Sequence, residues 1–152
     1  MVRCERVATS AGPEPAFVFV PRRRTPWSPR LALTPTRLIG RSATATVEMP
    51  WGAVGRAEVY GMPGGRSAGM LGIAAKRAGG AVWTRGAWLG RLNRRATAYD
   101  VSFGAGAFAG GADAVVAAIE HYRGDAKRRR RIGQEDEHAR LLRELGAPPA
   151  RP

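Results

Sequence analysis

The chain has one cysteine, Cys4, two histidines and only two lysines, Lys76 and Lys127, and aromatic residues make up 7% of its 152 residues. A lone cysteine excludes an internal disulfide framework. Arg3 and the lack of a preceding apolar run set Cys4 apart from a lipoprotein cysteine. His121, His138 and Cys4 are scattered, without metal-ligand spacing, so no metal and no cofactor is expected. No stretch reaches the ~18 apolar residues that a transmembrane helix needs. The apolar AFVFV at residues 16–20 is shorter than the core of a signal peptide. The expected location is the cytoplasm, with peripheral association at the inner face of a membrane left open.

What the chain does have is arginine. The formal net charge is +13 and hydrophobic residues make up 44%. That apolar share argues against disorder throughout, and a chain of this length can bury a core without staples. The charge favours anionic partners by long-range attraction: nucleic acid, lipid headgroups or an acidic protein. The excess of Arg, Ala, Gly and Pro also fits a GC-rich bacterial coding bias, so composition alone accounts for part of the charge.

The order of elements is many short strands, then helix. Residues 16–20, 43–49, 54–60, 70–75 and 81–84 read as strands by β-prone runs or period-2 alternation, and 31–42 as two short apolar runs around a Thr-Pro-Thr turn, with breaks at Pro21, Pro50 and Gly79-Gly80. Residues 87–92 are ambiguous, and residues 96–103 alternate like a further strand. Ala112, Val115, Val116, Ile119 and Tyr122 then recur at helical spacing. A short amphipathic helix is expected over 135–145. This succession argues for an antiparallel sheet or barrel with a helix at its end, an α+β, mainly β class. Residues 1–13 read as a loose leader, 14–124 as the domain, and 125–152 as a basic helical tail with a loose end.

Three stretches together resemble the bacterial PH-like (pleckstrin-homology-like) domain proteins of the actinobacterial type. They are RLALTPTRLIG at 30–40, TVEMPWGAVGRAEVY at 46–60, and TAYDVSFGAGAFAGGADAVVAAIEHYR at 97–123. The resemblance implies an antiparallel β-barrel of about seven strands capped by a C-terminal α-helix. It also implies binding or scaffolding without a catalytic residue set. In lipid-binding members of that class, basic residues in the loop joining the first two strands meet headgroup phosphates.

Two basic clusters are the candidate binding sites. The first is the loop after the first strand, where Arg22, Arg23, Arg24 and Arg30 surround Trp27. Guanidinium groups pair with phosphate oxygens, and an indole suits a membrane interface. The partner is then an anionic lipid surface or a protein. The second is the run Lys127, Arg128, Arg129, Arg130 and Arg131, a candidate for nucleic acid or lipid. Each cluster also has a plain reading, as a solvated loop and a solvated helix end. Trp51, Trp83 and Trp88 read as core or rim anchors.

Enzymatic motifs match only in letters. Gly65-Arg66-Ser67-Ala68-Gly69 fits a nucleophile elbow, with Asp100 or Asp113 and then His121 in hydrolase order. The elbow needs a strand directly before the serine and a helix after it, and Pro63-Gly64 precede it here. A serine hydrolase is therefore the distant alternative. Residues 104–109 fit G-x-G-x-x-A, but no second parallel strand follows. Met70 stands where a P-loop needs lysine.

Overall fold

The computed structural model describes residues 2–23, 25, 28–61 and 69–146. These form an α+β, mainly β structure with nine strands in two antiparallel sheets and four helices. The first sheet has the order β1(Val2–Thr9), β2(Gly12–Phe19), β3(Arg30–Leu33), β4(Arg37–Arg41), β5(Thr46–Pro50), β8(Val82–Arg85). The second has the order β6(Val54–Tyr60), β7(Met70–Ala75), β9(Val101–Gly104). The helices are α1(Ala87–Thr97), α2(Gly111–Arg123), α3(Ala126–Arg129) and α4(Glu135–Glu144).

The two sheets share one core. Phe17, Leu31, Leu38 and Met49 face Leu71, Ile73 and Phe103 across it, and Val115, Ile119 and Tyr122 of α2 close one end. One isolated bridge, Pro21 to Phe108, joins the end of β2 to the segment before α2. Among the described residues no ladder joins the two sheets into a closed barrel. Nine strands are described against about seven expected; β1 is additional, and β8, the strand expected over 81–84, pairs with β5 rather than in a hairpin with β7.

Two sequence expectations change. Residues 2–9 of the supposed loose leader form β1, paired along its whole length with β2. Pro13 and Pro15 are tolerated in β2 because β3 pairs only with Phe17, Val18 and Phe19, leaving that edge open. Gly12, at φ +112°, makes the turn between β1 and β2. Residues 87–97, ambiguous and then strand-like in sequence, are the helix α1. Gly86 and Ala98, both left-handed, bound it, and the Ala98 N–H caps it on Arg94 O at 3.0 Å.

The sequence leaves open how residues 125–146 are placed, and the structure packs them on the sheets. Ile132, Glu137 and Leu141 are buried, and the His138 ring lies 5.5 Å from that of Phe17 and within hydrogen-bond distance of Val2 O.

A polar clasp holds the β1–β2 turn on the outer face of the first sheet. Glu48 accepts from the Ser10 N–H at 3.0 Å, the Ser10 hydroxyl at 2.7 Å and the Arg37 guanidinium at 2.7 Å. Glu14 accepts from the Thr36 hydroxyl at 2.7 Å, and Arg37 lies beside it. Burial pushes the Glu48 carboxyl up, but the Ser10 and Arg37 hydrogen bonds and the Arg37 charge outweigh it, so its pKa lies below the ordinary value. Glu14 is lowered in the same way, with Thr34, Thr36 and Arg37 overcoming burial.

Candidate anion-docking surface

One end of the first sheet gathers arginines by register. β2 leaves the sheet there, β3 starts, β4 ends, β5 starts and β8 ends. Arg30 of β3 sits directly opposite Arg41 of β4. Arg41 pairs with Thr46, and Thr46 with Arg85. The row therefore runs Arg30, Arg41, Thr46, Arg85, and its three arginines are exposed. Like charges directly opposite in an antiparallel pair are destabilising. Among the described residues, no carboxylate lies within salt-bridge distance of Arg30, Arg41 or Arg85.

The loop after β2 adds to this end. Arg22 and Arg23 are exposed, and the Arg22 N–H donates to Ala107 O at 2.8 Å while Ala109 N–H donates to Val20 O at 3.0 Å. These bonds pin the start of the loop to the turn before α2. Further on, the Ser28 N–H donates to Thr25 O at 3.0 Å and the Thr25 N–H to Ser28 Oγ at 2.8 Å, a local turn stapled by short hydroxyl side chains. Arg24 and Trp27 lie outside the described residues. A shallow groove of about 180 Å³ on the outer face holds Arg6, Arg30 and Arg41 with Glu5, over a small apolar cluster of Val18, Ala32 and Ile39.

The second basic cluster is placed differently. Asp125 caps α3, accepting from the N–H groups of Lys127 at 2.8 Å and Arg128 at 3.1 Å, and these bonds hold its carboxyl below the usual range. The Arg129 guanidinium donates to Tyr122 O and Arg123 O, both at 2.9 Å, and stands 5.7 Å from the Trp51 ring centre. Arg128 pairs with Asp125 at 3.3 Å and approaches His121 Nδ1 at 3.0 Å. Arg131 pairs with Asp136 and reaches Glu137 at 3.7 Å. Of the five, only Lys127 and Arg130 make no side-chain hydrogen bond or ion pair among the described residues. The run fastens the C-terminal segment to α2. Beneath it, Tyr122 donates to Glu137 Oε1 at 3.0 Å, and burial with the Glu137 charge pushes its pKa up.

No protein-family model, curated protein or solved structure matches this chain.

A cavity of about 380 Å³ opens between the sheets on the side away from α2. Val47, Trp83, Leu89, Val101 and Phe103 line it, with Asn93 at its polar wall. That size falls within the range of small-ligand pockets. Its polar groups are engaged: Asn93 Nδ2 donates to Tyr99 O at 2.8 Å and Ser102 Oγ at 3.0 Å, and Asp100 accepts from Arg94 at 2.6 Å and from the Ala75 N–H at 2.7 Å.

The remaining sequence motifs scatter. Ser67 lies outside the described residues. Asp100 is held by Arg94, and His121 faces Glu144 at 2.7 Å and Glu137 at 3.6 Å on α4. Within residues 104–109, Ala105–Ala107 form a 3-10 turn that leads towards α2. Among the described residues no group of His, Cys, Asp or Glu could hold a metal ion, and no helix is long and apolar enough to cross a membrane. Sequence reasoning missed Arg41 and Arg85 as members of the basic end. The strand register alone brings them beside Arg30, and no local spacing carries that information.

Proposed function

We propose that this chain is a non-enzymatic, PH-like binding module that docks on an anionic lipid surface, at the cytoplasmic face of a membrane, through Arg22, Arg23, Arg30, Arg41 and Arg85. The strand order supports the PH-like part. Leaving aside β1 and β8, four consecutive strands (β2–β5) form one sheet and three (β6, β7, β9) the other, and α2 then covers one end. On this reading β1 and the β8–α1 segment are additions.

The observation that carries the docking reading is the cross-strand pair of Arg30 and Arg41, which no carboxylate among the described residues meets within salt-bridge distance and which shares its groove with Glu5 alone of the acids. A row of like charges costs folding energy that an anionic surface offsets. Basic residues near such a surface contribute about 1 kcal/mol each. The nucleic-acid reading has less support, because Arg128, Arg129 and Arg131 are spent on internal contacts.

The substitution Arg30→Glu separates docking from folding. It places a carboxylate opposite Arg41, so stability is expected to hold or rise by roughly 0.2–1 kcal/mol. Co-sedimentation with anionic vesicles at physiological salt is expected to fall by about tenfold or more, since one attractive charge is reversed and a second is engaged. Neutral vesicles serve as the baseline. Unchanged binding in a stably folded Arg30→Glu variant would sink the reading.

A further inference from the structure

The helix α1 has two faces of opposite character. Gly90 is buried, Leu89 and Asn93 are half-buried against the cavity, and Arg94 is tied to Asp100. The other face consists of Trp88, Arg91 and Arg95, with Leu92 at its edge, where it also lines the mouth of the cavity; the four stand at spacings of three, four and seven along one side of the helix. All four are exposed. Trp88 at 62% and Leu92 at 57% are the most exposed of the large apolar side chains among the described residues. Scattered single apolar residues on a surface need no explanation, but a Trp and a Leu one turn apart, flanked by two arginines, form a patch.

The helix is held rigidly in this orientation. Its inner face is fixed by Asn93 to Tyr99 O and Ser102, and by Arg94 to Asp100. Its start is packed on the β4–β5 turn, where a Cβ at Gly86 would meet Thr44 O at 2.7 Å. Arg85, the end of the arginine row, directly precedes Gly86. One residue therefore separates the start of the helix from the end of the row.

We propose that the outer face of α1 is an interfacial wedge, which sinks Trp88 and Leu92 into the headgroup boundary of an anionic bilayer while Arg91 and Arg95 pair with lipid phosphates. This rests on the lipid-docking reading above and names the element that makes it more than electrostatic. Charge selects the occupant. The α1 segment contains no acidic residue. A second copy of the chain would bring its own Arg91 and Arg95 against these. A nucleic-acid backbone offers Leu92 no apolar surface. A lipid surface meets both demands, because an indole and an aliphatic chain between arginines are the composition of helices that lie in the interface plane.

The test uses the full chain with vesicles of equal parts phosphatidylglycerol and phosphatidylcholine, some carrying bromine on the acyl chains. Co-sedimentation reads partitioning, and bromine quenching of tryptophan emission reads depth. The expected result is that, in a Trp27→Phe background that silences the loop indole, Trp88→Phe removes most of the remaining quenching. Leu92→Glu should lower partitioning at physiological salt about tenfold or more, with the far-ultraviolet dichroism of both variants unchanged. If Trp88→Phe and Leu92→Glu behave as wild type while Arg30→Glu loses binding, the wedge is overturned and lipid docking stands. If the wild type ignores anionic vesicles, docking and wedge fall together. A wild-type dimer in lipid-free solution that Leu92→Glu converts to a monomer would assign the face to self-association and overturn the proposal.

Discussion

Gly90 carries no side chain, and the indole of Trp83 takes the space where one would stand. A Cβ built there would meet the ring at 2.2 Å. Two effects of Gly90→Ala oppose each other. In an uncrowded helix interior alanine is favoured over glycine by roughly 1 kcal/mol. Overpacking against a rigid ring costs typically about 1–3 kcal/mol, and a 2.2 Å approach is far inside contact distance, so the clash wins. Gly90→Ala is expected to lower the thermal midpoint and shift the emission of Trp83 as α1 is pushed off β8. A raised midpoint would mean that α1 sits further from Trp83 than described. Gly72 is a second position of this kind, where a Cβ would meet the Tyr99 ring at 2.6 Å, and its absence lets Tyr60 stack on Tyr99 at 4.5 Å.

At the level of elements, the inner strands and α2 were legible because their side chains follow one period each. Leu31, Leu33, Leu38, Val47 and Met49 face inward at alternate positions, and Val115, Ala118, Ile119 and Tyr122 at helical ones. The helix α1 was not legible, because only its inner face obeys the core and its exposed Trp88 and Leu92 break the helical pattern. The strand β1 was hidden by prolines that its partner tolerates only on an open edge. The basic end was half legible. Arg22, Arg23 and Arg30 lie close in sequence, whereas Arg41 and Arg85 arrive by pairing.

The C-terminal segment gives the sharpest test at this scale. A loose tail predicts no effect on stability from its leucines. Leu141 is fully buried and belongs to the same core as Phe17 and Tyr122. Leu141→Ala is therefore expected to cost about 2–5 kcal/mol in urea unfolding, and a cost near zero would detach α4 from the core.

The whole molecule carries +13 charges and has few carboxylates to offset them. Its acids are distributed unevenly: Glu14 and Glu48 serve the clasp on the first sheet, and Asp136, Glu137 and Glu144 serve the C-terminal helix. This distribution leaves Arg30, Arg41 and Arg85 without an ion-pair partner among the described residues and makes the clasp one seat of acid sensitivity. Glu14 and Glu48 both have pKa values below the ordinary carboxylate value. A group with a depressed folded pKa favours the folded state fully above its unfolded pKa, roughly 4.3 for glutamate. That contribution fades as pH falls from there and is lost once pH has dropped through the lower folded value. Protonation also raises the net positive charge, so self-repulsion grows over the same range. Glu48→Gln removes one of the two titrating groups, along with the charge that Arg37 and Ser10 bind. At neutral pH it is expected to cost about 2 kcal/mol, the scale of a hydrogen bond to a charged group. Its stability should then decline less steeply than that of the wild type as pH falls below about 5, and the two curves should converge in acid. Urea unfolding at stepped pH measures this directly. Parallel curves for wild type and Glu48→Gln would show that the acid sensitivity lies elsewhere, and the carboxylates of α4 around His121 and Arg131 would be the next to substitute.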